Sequence, residues 1–243
     1  MTARAVCIEV GGGGIQTVVF DGAAEPAFLD GASRADGAPL LIAVPGLVAG
    51  GRVVAASNLR WFDVDPVAAL GLDGTARVVA NDAQAAALGE AVLRGVGDLA
   101  YLGLGTGIGG AIVRDGAVVE HEVFGHRGSF GEAACPCGRT GCLETVAAGW
   151  ALPSPVPVEA IGTIAAALAR SIEDAETPEL IVIGGGLARR YPAILRAVRA
   201  LLGAYRVEAS AAPGPAKSAA AWGLLRLAGI EVDLSPSRPA RSR

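Results

Sequence analysis

Two stretches of this 243-residue chain follow one plan, and together they restrict its fold more than any other feature. Residues 6–20 read VCIEVGGGGIQTVVF, and residues 99–119 read LAYLGLGTGIGGAIVRDGAVV. Each is an apolar, β-branched run, a glycine turn and a returning run of the same kind, which predicts strand, turn, strand. A turn of consecutive glycines bares backbone N–H groups, and bare N–H groups suit anions such as phosphates. Two such units predict two α/β halves with a nucleotide held between them, and the break between the halves is expected near Val96–Gly97.

The surrounding segments fit this frame. Leu40–Val44 is expected as a buried strand ending in a Pro45-Gly46 turn, Arg52–Ala56 as a short strand, and Ser57–Arg60 as a polar loop. Arg77–Ala80 should be a strand that runs directly into NDAQAAALGEAVLRG, a helix capped by Asn81 or Asp82. Leu180–Ile183 reads as a buried strand closed by Gly184–Gly186. Thr145–Ala151, Val158–Glu173, Pro192–Leu202 and Lys217–Leu227 have helical composition. The tail, Leu234–Arg243, holds Pro, Ser and Arg and is expected to fray.

The composition, 52% hydrophobic and 18% charged, is that of a folded globular chain. A net charge of -4 without a basic stripe argues against a nucleic-acid partner. The longest apolar runs, such as Pro39–Ala49, are too short for a membrane span and contain proline and glycine. The N-terminus shows no secretion signal, so a soluble cytoplasmic protein is expected. In that compartment clustered cysteines are more often metal ligands or redox groups than disulfides. Three of the four cysteines lie in CPCGRTGCLE, residues 135–144. The fourth, Cys7, lies in the first strand and is expected as a buried apolar thiol.

In order along nearly the whole chain, these motifs resemble the ROK family of repressors and sugar kinases. Glu9–Ile15, EVGGGGI, is similar to that family's first phosphate turn. Asn58-Leu59 resembles its sugar-contacting loop, Asn81-Asp82-Ala83 its catalytic segment, Gly105–Gly110 its second phosphate turn and Ile183–Gly186 its adenosine segment. Gly125-His126 followed by C-x-C-G-x-x-G-C-x-E is the most specific match, to the family's zinc signature. The resemblance implies a two-domain actin-like ATPase (ribonuclease H-like) α/β fold with an interdomain cleft and a zinc knuckle. Residues 1–96 would form the first lobe, residues 97–230 the second, and 231–243 a disordered tail. A final helix at about 217–230 would pack on the first lobe.

The implied activity is ATP-dependent phosphorylation of a primary hydroxyl on a hexose-like substrate, whether glucose, an amino sugar or a cyclitol. Asp82 would be the base that accepts the proton of the attacking hydroxyl. Asn58, Asn81, His126 and Glu144 would contact the sugar together with Asp82. Glu9 would hold Mg²⁺ through water. Gly12, Gly13, Gly14, Gly105 and Gly107 would offer amides to the β and γ phosphates, with the Thr106 hydroxyl beside them. Gly184, Gly185 and Gly186 would let the adenosine lie against the backbone. His126, Cys135, Cys137 and Cys142 would bind a structural Zn²⁺ as a closed Cys₃His set, with His126 also facing the sugar. The glutamate behind the last cysteine is explained on this reading, because the zinc loop delivers it to the pocket.

The chain departs from the family pattern in four places. Glu9 replaces an aspartate, and Gly13 and Gly14 stand where threonine and lysine are usual. Val123 occupies the place of a sugar-contacting glutamate, with Glu122 one residue off, which points toward an amino sugar or cyclitol. Gln84 stands where asparagine is common. Finally, the segments between Phe20 and Leu40 and after Glu144 are short, and a homodimer is left open. Two competing readings are a catalytically degenerate sugar- or nucleotide-binding regulator of the same fold and a kinase using a donor such as polyphosphate. A DNA-binding repressor is disfavoured, because only seven or eight residues precede the first turn.

Overall fold

Strands whose two faces are both covered need uninterrupted apolar runs, and Leu40–Val44 and Leu180–Ile183 are such runs. Both are central strands in the computed structural model, which describes residues 4–21, 26–34, 37–119 and 124–231. In chain order the first half holds β1 (Ala5–Gly11), β2 (Gly14–Phe20), β3 (Ala27–Asp30) and β4 (Leu40–Val44). It continues with β5 (Leu47–Ala49), β6 (Arg52–Ala56), β7 (Trp61–Val64), the single-turn α1 (Pro66–Ala69), β8 (Val78–Asn81) and α2 (Asp82–Arg94). The second half holds β9 (Leu99–Leu104), β10 (Ile108–Arg114), β11 (Ala117–Val119), α3 (Glu144–Ala147) and α4 (Ala160–Glu173). It ends with β12 (Leu180–Gly184), α5 (Gly186–Arg190), α6 (Pro192–Leu201), β13 (Arg206–Ala209) and α7 (Ala220–Leu227).

The two halves repeat one topology. The first five-stranded sheet is ordered β3-β2-β1-β4-β8 and the second β11-β10-β9-β12-β13. In each, the first three strands are antiparallel neighbours and the last two run parallel to the first. The glycine turn of each half lies at the tip of its first hairpin, after β1 and after β9. A small antiparallel sheet, β5-β6-β7, covers the outer face of the first large sheet.

One core joins the two sheets. Cys7, Val18, Leu41 and Ala43 line one side of it and Leu99, Tyr101, Ala111 and Val113 the other, with α2 and α7 between them. The helix that ends the first half, α2, packs mainly on β9 and β10 of the second sheet, whereas α7 packs on β1 and β4 of the first. The two helices cross with almost no side chain between them. A Cβ on Gly89 would fall 1.8 Å from the Ala219 carbonyl oxygen, and one on Gly223 would fall 1.8 Å from that of Ala85. Cys7 is buried as expected, and its thiol points at the Ala221 carbonyl at 3.6 Å.

Two expected helices are shorter than their composition suggests, and each meets bonds to a distant segment where it is short. Thr145–Ala151 is helical only as far as Ala147. Beyond it the Gly149 and Trp150 N–H groups donate to the Gly105 and Thr106 carbonyls of the second turn, at 2.9 and 3.0 Å. The last helix starts at Ala220 instead of Lys217, and ahead of it the Lys217 N–H donates to Gln16 Oε1 at 2.8 Å, 201 residues away. The strands β3, β5, β7 and β13 and the short helices α1 and α5 have no counterpart in the sequence reading. No helix of the described residues is long and apolar enough to cross a membrane.

Candidate active site

The two glycine turns touch. A Cβ on Gly12 would lie 2.9 Å from both Cβ and Oγ1 of Thr106, so only glycine lets the first turn approach the second this closely. Gly13 has open space over it. Gly184 ends β12 beside β9. Gly185 follows with φ +90° and no room for a side chain against the Leu104 carbonyl, and Gly186 opens α5. All three glycine segments therefore converge on the ends of β1, β9 and β12.

The Asn81-Asp82 step projects into this region from the start of α2. Asn81 is the N-cap: its Oδ1 accepts the Ala83 and Gln84 N–H groups at 3.0 and 3.1 Å. Its Nδ2 donates to the Gly46 carbonyl at 2.9 Å, which ties the small sheet to the helix. Most of the Asn81 amide is thus committed to the protein itself. Asp82 is half-buried in the first turn of α2 and accepts the Ala83 N–H at 2.8 Å. The second turn closes over this helix start, where a Cβ on Gly109 would fall 2.9 Å from that of Ala83. Burial pushes the Asp82 carboxyl up to about 6, opposed by backbone N–H groups. Glu9, on β1, is raised further, to about 7, mainly by burial and also by Asp82. The Ser218 hydroxyl and the charges of Lys217 and Arg189 oppose that rise. Two carboxyls that titrate near neutrality lie beside two phosphate-type turns.

His126, Cys135, Cys137 and Cys142 place their ligand atoms within 4.8 Å of one another. Cys135 Sγ lies 3.7 Å from His126 Nδ1, and Cys137 Sγ lies 3.7 Å from Cys142 Sγ. A tetrahedron with ligand bonds of about 2.3 Å has edges of about 3.8 Å, so the cluster has the dimensions of a zinc site. The donor set, three thiols and an imidazole, is that of a closed structural centre. His126 turns Nδ1 to the cluster, which leaves Nε2 on the opposite edge of its ring.

Glu144 stands between the loop that carries the three cysteines and the second turn. It is buried; Oε1 accepts the Ile108 N–H at 2.7 Å and Oε2 accepts the Trp150 indole N–H at 3.1 Å. The carboxylate thus holds the second turn in place, a tie absent from the sequence reading. Asn58 is exposed in the turn after β6 and makes no hydrogen bond to the other candidate residues among those described. Val123 and Glu122 lie outside the described residues. Three polar side chains by the site were also missed: Arg189, Lys217 and Ser218 surround Glu9.

A model of the ROK family matches residues 26–157, a segment that includes Asn58, Asp82, the second turn and the whole zinc signature. The chain belongs to the ROK family. A kanosamine kinase from Amycolatopsis mediterranei is 34% identical over 227 residues, covering 77% of this ROK protein and 74% of the relative. A glucokinase from Halalkalibacterium halodurans is 46% identical over 82 residues, but these make up 29% of this chain and 24% of that one. Among solved structures, a ROK family glucokinase from Streptomyces griseus in complex with glucose and AMPPNP superposes with a TM-score of 0.72 at 22% identity. That match covers 94% of this chain and 100% of the other. At that identity the superposition establishes the actin-like ROK fold and nothing finer. The named relatives include sugar kinases and a xylose repressor.

Proposed function

We propose that this ROK protein is an ATP-dependent sugar kinase that phosphorylates a primary hydroxyl of a hexose-like substrate. The observation that carries the proposal is the position of Asp82. Its carboxyl, at about 6, is ionised at neutral pH yet basic enough to take a proton, and it sits at the helix start covered by the second glycine turn. In the step we infer, the sugar hydroxyl gives its proton to Asp82 as its oxygen bonds to the γ phosphorus. The bond from that phosphorus to the bridging oxygen breaks, and ADP leaves. The N–H groups of Gly12–Gly14, Thr106 and Gly107 would stabilise the charge spread over the transferred group, whereas that of Gly105 donates to the Gly107 carbonyl at 3.0 Å. Glu9 offers the oxygen ligand that a nucleotide-bound Mg²⁺ prefers. The zinc cluster serves as a staple, holding Glu144 and through it Ile108.

The relative named for kanosamine, an amino sugar, supports testing that substrate class first. A coupled ADP-release assay with MgATP should show turnover on at least one of glucose, mannose, free and N-acetylated amino sugars (kanosamine among them) and C7 cyclitols. No turnover on any of them, with ATP still bound in calorimetry, would favour the degenerate regulator over the kinase. Replacing ATP by polyphosphate and detecting the sugar phosphate directly, since that donor releases no ADP, separates the third reading.

The raised Asp82 carboxyl also sets the pH profile. Protonation removes the base, so at saturating MgATP, where the metal Glu9 would hold keeps that carboxylate ionised, kcat/KM for the sugar should be flat above about pH 7 and fall about tenfold per unit below pH 6. A profile that stays level down to pH 5 would remove Asp82 from the role of base.

A further inference from the structure

The first glycine turn has no side-chain donor of its own, since Gly11–Gly14 offer only backbone. Yet a cation overhangs it. An ideal Cβ on Gly14 would lie 3.5 Å from Lys217 Nζ, which arrives from the far end of the sequence. Three hydrogen bonds fix the backbone that carries this lysine. Gln16 Oε1, on β2 just past the turn, accepts the Lys217 N–H at 2.8 Å, and Gln16 Nε2 donates to the Pro215 carbonyl at 2.9 Å. From the opposite side Arg189, on α5, donates to the Ala216 carbonyl at 2.7 Å. The segment therefore bridges the first turn and the helix that follows Gly184–Gly186. The side chain itself is left unclamped: the ammonium makes no hydrogen bond or ion pair among the described residues, with Glu9 and Asp30 the nearest negative charges.

The sequence marks the same residue independently. The chain has nineteen arginines and one lysine, and that lysine is Lys217. An ammonium is a compact point charge on a flexible stem that can follow a moving phosphate, whereas a guanidinium is a rigid planar fork.

We propose that Lys217 is the cation of the first phosphate turn, reaching across Gly14 to the β and γ phosphates of the nucleotide. This assignment rests on the kinase reading of the same cleft. The residue belongs by position to the last helix's entry, but its charge serves the first hairpin. Its ammonium holds no hydrogen bond or ion pair among the described residues, so replacing it should leave the fold intact.

The test is calorimetric binding of adenosine, ADP and ATP without added magnesium and without chelator, so that metal at Glu9 contributes nothing while the zinc cluster stays loaded, to the wild type, Lys217→Met and Lys217→Arg. Lys217→Met should bind adenosine as the wild type does and lose ATP affinity by about 10- to 100-fold, the scale of one hydrogen bond to a charged group. Lys217→Arg should recover part of that loss. Unchanged ATP affinity in Lys217→Met overturns the assignment, as does an equal loss for adenosine and ATP. The wild type reports on the underlying reading separately. If it binds inorganic triphosphate through Lys217 but no adenosine nucleotide, the cation keeps its role and ATP is excluded as donor. If it binds neither, the assignment falls together with the kinase reading.

Discussion

Asp82→Asn should lower kcat by about 10²- to 10⁴-fold, the usual contribution of a positioned general base. The substitution is nearly isosteric, so the amide oxygen can still accept the Ala83 N–H that Asp82 Oδ1 holds at 2.8 Å. Asn81 remains the cap of α2 and keeps its bond to Gly46. Removing a half-buried carboxylate also relieves the burial penalty that pushes it up to about 6, so thermal stability should hold or rise. Affinity for MgATP, measured by calorimetry, should stay within a few-fold of the wild type, because in the proposed step Asp82 serves the sugar hydroxyl and not the nucleotide. Turnover at the wild-type rate would show that some other group takes the proton.

Cys137→Ser should be the most damaging change to stability. Segment 127–143 is held by a few backbone bonds, among them Cys135 N–H to the Arg139 carbonyl and Gly141 N–H to the Ala133 carbonyl, and residues 131–134 are exposed. It has little apolar core of its own. A structural zinc contributes folding free energy directly, about 10–16 kcal/mol in isolated zinc peptides, so the loop should depend on it. The damage should then spread along a defined path. Leu143 N–H donates to the Arg127 carbonyl and Glu144 follows at once, so loosening the knuckle frees the carboxylate that holds Ile108 and Trp150. Atomic absorption should show stoichiometric zinc in the wild type and none in the variant. Limited proteolysis should find new cuts within 127–143, and activity should fall with the zinc. Unchanged metal content would refute the knuckle.

The parts of this site that could be read in the sequence are those built from contiguous residues. A glycine turn, a capped helix start and a CxC…C run each carry their chemistry within ten residues, which made Glu9, Asp82, Thr106 and the cysteines legible. What escaped is long-range. Nothing local to PGPAKS says that Gln16 will seize its backbone, and nothing local to Glu144 says that its first partner is Ile108. Helix propensity failed at Gly149, since a hydrogen bond to a distant segment outweighed a preference worth less than about 1 kcal/mol per residue. The short strands β3, β5, β7 and β13 are set by the neighbours they pair with and have little alternation of their own. Asn58 shows the converse: a motif legible in sequence that the fold leaves at the surface.

The exchange of α2 and α7 between the two sheets has a consequence for how the molecule is made. The inner face of the first sheet, though its strands come early in the chain, is covered by a helix that ends at Leu227. On a ribosome that sheet would wait, with Cys7, Val18 and Leu41 uncovered, until Ala220–Leu227 has emerged. Contacts spanning so many residues form slowly, because the intervening loop must be closed before they are rewarded. The sheet that is synthesised first is therefore covered only after the second sheet has been made, and its completion depends on α7 arriving.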